Sequence, residues 1–159
     1  MEEIVGSAVR LSKRVLASRT LQTKVPADLP LVKCDAVLIE RVLVNLLENA
    51  AKYTPPDAIV EVFAQGAGDE MRVTVADNGP GIRPGTEQEI FNKFSRGVRE
   101  SAISGVGLGL AICKAIVEAH GGSIGATNRA ERGVAFTFTL PLGEAPPLAL
   151  DVDEPGASA

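Results

Sequence analysis

Apolar positions along the chain alternate between two spacings. Residues 2–18, EEIVGSAVRLSKRVLAS, carry apolar side chains at helical spacing with basic ones on the other side. Residues 20–25, TLQTKV, alternate as a short strand, and PADLP then breaks it. Asp35 is suited to cap the helix that follows, DAVLIERVLVNLLENAAKYT, which Pro55-Pro56 stops. IVEVFAQ (59–65) and EMRVTVAD (70–77) alternate at period two around the turn-rich GAGD, a hairpin pattern. Residues 78–107 are dense in Gly, Pro, Ser and charge, with one short helical stretch at EQEIFNKF. GLGLAICKAIVEAHGG is a helix ending on Gly121-Gly122, and GSIGATN with VAFTFTLPL forms a second hairpin. The order α-β-α-β-β-loop-α-β-β predicts an α+β fold, a two-layer α/β sandwich. Its sheet is mixed, mostly antiparallel and about five strands wide, with three main helices on one face.

Composition narrows the class without changing that outline. With 159 residues the chain suits one domain and one core. It is expected to span residues 1–143, followed by a disordered, acidic, Pro- and Ala-rich tail at 144–159. A formal charge of −4 argues against nucleic acid as a partner bound by overall charge. Cys34 and Cys113 have no Cys or His at ligand spacing, and both sit in apolar surroundings, so they read as core thiols. No apolar run approaches the roughly 18 residues of a membrane span. Because the chain opens directly in a helix, it reads as an excised piece, and membrane attachment of a longer parent stays open.

Three stretches carry candidate chemistry. On the long helix, Ile39, Val42, Leu43, Leu46, Leu47 and Ala50 form the stripe that packs on a sheet. A neighbouring stripe holds Arg41, Asn45, Glu48, Asn49 and Lys52. Two asparagines one turn apart are poor helix formers, so their presence needs a reason; taken alone, this stripe still reads first as a solvated polar face, with ligand binding the alternative. An amide oxygen is a neutral, hard ligand for Mg²⁺, Lys52 is a point charge for phosphate, and Tyr53 adds an amphipathic ring. The second stretch, VADNGPGIRP (75–84), is either an ordinary turn or a loop that lets something lie against its backbone. The third, GVGLGLAI (105–112), sets Gly105, Gly107 and Gly109 just ahead of a helix, where free N–H groups and the dipole favour anions. It lacks both the preceding strand of a dinucleotide fingerprint and the Gly-Lys-Ser/Thr of a Walker loop.

In this order, NLLENAAKYT, DNGPGI and GVGLGLAI, with IFNKFSRG (90–97) between the last two, resemble the N, G1, F and G2 boxes of bacterial sensor histidine kinases. Longer runs, LENAAKYTPP and GVGLGLAICKAIVEAHGG among them, are similar to the membrane sensors of that family that control potassium-uptake genes. The resemblance covers roughly residues 1–142 and implies a Bergerat-type ATP-binding fold, in a cytoplasmic domain of an inner-membrane sensor. It implies ATP and Mg²⁺ as cofactors, with Asn49 the Mg²⁺ ligand and Asn45 beside it near the phosphates. Lys52 would contact phosphate, and Tyr53 would pack near ribose and adenine. Asp77 would accept the adenine amino hydrogen over a floor made by Gly79 and Gly81. A lid over about 83–106 would bring Arg96, helped by Lys93, to the γ-phosphate. Gly105, Gly107 and Gly109 would wrap the phosphates, with Leu108 anchoring the hinge. Phosphotransfer in that family needs an acceptor His followed by Asp or Glu on a separate dimerisation domain. The single histidine here, His120, precedes Gly121-Gly122 and reads as a structural C-terminal residue. The expected partners are therefore that phosphoacceptor domain and, indirectly, a response regulator, with this piece alone a monomer. The alternative is a stand-alone ATPase or clamp of the chaperone and topoisomerase type. Its catalytic Glu aligns with Asn45, which cannot take a proton.

Overall fold

The computed structural model describes residues 1–92 and 108–143. Along the chain lie α1 (Glu2–Leu11), β1 (Thr20–Lys24), α2 (Ala36–Tyr53), β2 (Ile59–Ala67) and β3 (Glu70–Asp77). A 3-10 turn (Glu89–Phe91), α3 (Gly109–Ala119), β4 (Ile124–Asn128) and β5 (Val134–Pro141) follow. The five strands form one sheet in the order β1-β2-β3-β5-β4. β1 runs parallel to β2 because α2 crosses between them, and every other pairing is antiparallel. This is the expected two-layer α+β sandwich.

Period two decides which strand residues meet the helices. Val60, Val62, Met71, Val73, Val75, Phe136, Phe138 and Leu140 are buried, and so is the α2 stripe Ile39, Val42, Leu43, Leu46 and Leu47. Each such aliphatic side chain contributes about 1.5–3 kcal/mol on leaving water. The other sheet face is polar, with the Thr74 and Thr137 hydroxyls 2.9 Å apart across β3 and β5. Phe91 meets Phe136 edge-on at 6.2 Å, tying the 3-10 turn to the core.

Helix ends follow their local chemistry. Asp35 caps α2, its Oδ1 accepting from the N–H groups of Val37 (3.0 Å) and Leu38 (3.1 Å). Thr54 turns extended at the other end, as a residue before proline must. α3 closes on Gly121 at φ 82, with the Gly121 and Gly122 N–H groups donating to the Glu118 and Val117 carbonyls at 3.0 Å each. A Cβ on Gly122 would lie 1.8 Å from the Thr139 carbonyl oxygen, so the helix end rests directly on β5. The β2–β3 turn is tighter than GAGD suggests. Ala67 pairs with Glu70, leaving only Gly68 (φ 65) and Asp69 outside the ladder.

α1 is shorter than its hydrophobic pattern. It ends at Leu11, and residues 12–18 form turns closed partly by three-residue bonds, Lys13 to Arg10 and Ala17 to Arg14. This change of path buries Leu16 and returns Arg19 to the end of α2. His120 has the structural role read from sequence. Its Nε2 accepts from the Asp35 backbone N–H at 3.1 Å and its Nδ1 lies 2.8 Å from the Ile116 carbonyl, which assigns the proton to Nδ1. Cys113 is fully buried and Cys34 half-buried, both as free thiols. Burial pushes the Cys113 thiol up to about 12.

Candidate functional site

Three elements converge beside the open end of the sheet: the second half of α2, the loop after β3, and the start of α3. Asp77 lies at a break in the hydrogen-bond ladder. On one side β3 continues its pairing to Asp77, opposite Val60, while on the other the pairing with β5 ends at Ala76 and Ala135. The residue is only 5% exposed. Burial raises its carboxyl above the ordinary aspartate value, opposed by hydrogen bonds from the Gly79 and Val134 backbones and by the charge of Arg129. The Gly79 N–H donates to Oδ1 at 2.9 Å.

The loop after Asp77 is packed too closely to carry side chains. A Cβ on Gly79 would fall 2.8 Å from the Thr54 methyl, and one on Gly81 (φ 81) would fall 2.5 Å from Asn128 Oδ1. Gly133, at φ 99, would place a Cβ 1.8 Å from the Asp77 carbonyl oxygen. The result is a buried carboxylate beside a wall of bare backbone. That arrangement can read a flat ligand bearing a hydrogen-bond donor.

On α2, Asn45 and Asn49 are half-buried and Lys52 is exposed. The Asn45 amide lies at a long 3.5 Å from the Gly109 carbonyl and also faces the Cys113 thiol, so it joins α2 to the start of α3. Lys52 Nζ lies 6.0 Å from the centre of the Tyr53 ring. Leu108 stands exposed immediately before α3, whose first residue is Gly109. Asn45, Asn49, Lys52, Tyr53, Asp77, Gly79, Gly81, Leu108 and Gly109 are thus all described. Lys93, Arg96, Gly105 and Gly107 lie outside the described residues.

Several residues shape this site without a signal in the sequence. Arg19 closes α2, its Nη2 donating to the Ala51 (2.7 Å) and Thr54 (2.6 Å) carbonyls and its Nε to Thr54 Oγ1 (3.1 Å). Thr54, oriented this way and bonded to the Ala50 carbonyl at 2.7 Å, presents the methyl that faces Gly79. From the β4–β5 turn, Arg129 Nη1 donates to the Asp77 carbonyl (3.0 Å) while Nη2 pairs with Glu61 (3.0 Å). Arg132 Nε donates to the Gly79 carbonyl at 3.2 Å, and Asn128 bonds both backbone groups of Ile82 at 2.8 Å each. An arginine or asparagine near a turn is ordinary, so only the fold reveals these contacts.

Residues 34–144 match the model of the histidine kinase-, DNA gyrase B-, and HSP90-like ATPases. The chain belongs to this ATPase family. Within the family it is 51% identical over 148 residues to the sensor protein KdpD of Escherichia coli (strain K12), covering 93% of this chain and 16% of that protein. Among solved structures it resembles the mycobacterial sensor histidine kinase MprB, with a TM-score of 0.79 and 30% identity over 89% of this chain and 95% of the other. It also resembles full-length ShkA in complex with AMPPNP, with a TM-score of 0.77 and 28% identity over 88% and 29% of the two chains. Family membership makes this an ATP-binding domain. No helix among the described residues is long and apolar enough to cross a membrane.

Proposed function

We propose that this chain is the Mg·ATP-binding catalytic domain of a KdpD-like sensor histidine kinase, one that regulates potassium uptake from the inner membrane. It delivers the γ-phosphoryl group to a histidine on a separate dimerisation domain, from which a response regulator takes it. The observation that carries this reading is the buried Asp77 carboxylate beside glycines that admit no side chain. Asp77 accepts a hydrogen from the adenine amino group, and Gly79 and Gly81 let the base lie against the loop. Tyr53 packs beside the base and ribose, and Lys52 meets phosphate.

The donor set on α2 suits a magnesium ion shared with phosphate. Asn49 offers a neutral oxygen, and no group of three or more His, Cys, Asp or Glu among the described residues forms a protein cage. Mg²⁺, when bound, neutralises charge on the phosphates. Asn45 orders the start of α3, where Gly109 and, by its place in the sequence, Leu108 border the triphosphate. Arg96 and Lys93 act at the γ-phosphate, and Gly105 and Gly107 wrap it. In the transfer, an imidazole nitrogen of the acceptor forms a bond to phosphorus as the bond to the ADP oxygen breaks. ADP leaves with that electron pair, and the acceptor domain disposes of the imidazole proton. With no carboxylate at position 45, transfer to a histidine is favoured over hydrolysis by water.

The test mixes the chain with its cognate acceptor domain and labelled Mg·ATP. Acid-labile phosphohistidine on the acceptor is expected. Nucleotide binding without any transfer would overturn the kinase assignment, and a calorimetric titration without Mg·ATP binding would overturn the site.

A further inference from the structure

We propose that Asn128 is a specificity-determining positioning residue, holding the loop after β3 in the shape that lets Asp77 select a 6-amino purine over a 6-oxo purine. This rests on the adenine reading of Asp77 given above. The loop has few bonds of its own. Asn78 ties back to β2, its N–H donating to the Ile59 carbonyl at 3.2 Å and its Oδ1 accepting from the Ile59 N–H at 2.8 Å. Beyond Asn78, the backbone at Gly79 and Ile82 is held by side chains from the β4–β5 turn. Asn128, the last residue of β4, uses both ends of one amide. Its Oδ1 accepts from Ile82 N–H and its Nδ2 donates to Ile82 C=O, each at 2.8 Å. Among the described residues no other group bonds to that N–H or C=O.

Only an amide of this length satisfies both groups. A carboxylate would lose the donor and set its charge against the Ile82 carbonyl, and alanine would free both. Gly81, part of the adenine floor and next to Ile82, sits at φ 81 with Asn128 Oδ1 where its Cβ would be, so the amide also holds the loop in that glycine conformation. Behind it, Arg129 supplies the bond that the Asp77 carbonyl would otherwise take from a strand, since the ladder with β5 stops one residue earlier. Glu61 on β2 holds the guanidinium in place. The loop whose Gly79 N–H orients the Asp77 carboxylate is therefore held from the end of β4 and the β4–β5 turn.

Discrimination between adenine and guanine depends on this direction, because Asp77 accepts from an amino group and repels a carbonyl oxygen. Triphosphate binding does not depend on it. The experiment titrates wild type, Asn128→Asp and Asn128→Ala with Mg·ATP, Mg·GTP and Mg·tripolyphosphate by calorimetry, alongside thermal melts. Wild type is expected to prefer Mg·ATP. In both variants Mg·ATP affinity is expected to fall about 10-fold, the worth of a buried polar contact, while tripolyphosphate affinity stays within about twofold. The ATP-to-GTP ratio moves toward one. If the variants keep the wild-type ratio, or lose all three ligands by one common factor, Asn128 is merely structural and the proposal fails. If wild type itself shows no preference for Mg·ATP, the reading of Asp77 fails and takes this proposal with it. Should Asn128→Ala melt below the titration temperature, Asn128→Ser, which keeps a hydroxyl for one of the two bonds, is judged by the same ratio.

Discussion

Replacing Asp77 with asparagine separates binding from stability in opposite directions. Asp77 is a 5% exposed residue whose Oδ1 accepts the Gly79 N–H at 2.9 Å. Asparagine keeps the shape, and its Oδ1 continues to accept that N–H. Its amino group then points where the second carboxylate oxygen stood, so a donor faces the adenine amino group. One charge-assisted hydrogen bond is lost, about 1.5–3 kcal/mol, which corresponds to about 10- to 150-fold weaker Mg·ATP binding. Mg·GTP, which offers a carbonyl at the same place, loses less or gains. Stability moves the other way. Burial raises the folded-state pKa of Asp77, so the native state holds its proton to higher pH than the unfolded chain does. The contribution of this group is thus most favourable below the ordinary value of 3.8 and declines as pH rises through the raised one. At neutral pH the buried charge is a net cost that Asp77→Asn removes. The variant is expected to melt above wild type at pH 7, with the difference shrinking on acidification. Mg·ATP affinity of the wild type should fall over the same acidic window, above the range of an exposed aspartate. Calorimetric titration and melting from pH 4 to 8 test both halves. Unchanged Mg·ATP affinity would refute the adenine contact, and a lower melting point at pH 7 would refute the desolvation argument.

Three further outcomes are expected. Gly133→Ala places a Cβ 1.8 Å from the Asp77 carbonyl oxygen at φ 99, and should cost about 3 kcal/mol or more in chemical denaturation. Arg19→Ala removes three hydrogen bonds at the end of α2 and should cost about 2 kcal/mol, with Arg19→Lys recovering part of it. Because Cys113 is fully buried with its thiol pushed up to about 12, a thiol reagent at pH 8 should modify Cys34 in the native protein and reach Cys113 only on unfolding. Two rapidly reacting native thiols would contradict that burial.

The elements themselves were legible because their signals are local. A period of 3.6 ending in Pro55-Pro56 specifies α2, and alternation around Gly68-Asp69 specifies the first hairpin, whatever the rest of the chain does. Even the asparagine pair on α2 stands out locally, since helix propensity disfavours it. Where the local signal misled, tertiary packing overrode it. The helical pattern of residues 12–18 gave way to turns that bury Leu16 and deliver Arg19 to the Thr54 carbonyl, 35 residues away.

Residue order along the chain was enough to specify a two-layer fold and the family, and to nominate the polar residues proposed for the nucleotide. The support behind those residues came only with the tertiary structure. Arg129 reaches Asp77 across 52 positions, Arg132 reaches Gly79 across 53, and Asn128 reaches Ile82 across 46. None of these side chains is unusual for a turn between two strands, and their meaning depends on which loop the sheet order sets opposite them. Asp77 shows the division most plainly. Its place at the end of an alternating run marks it in the sequence, but its burial, the Gly79 N–H on its Oδ1 and the Arg129 charge beside it come only with the packed fold.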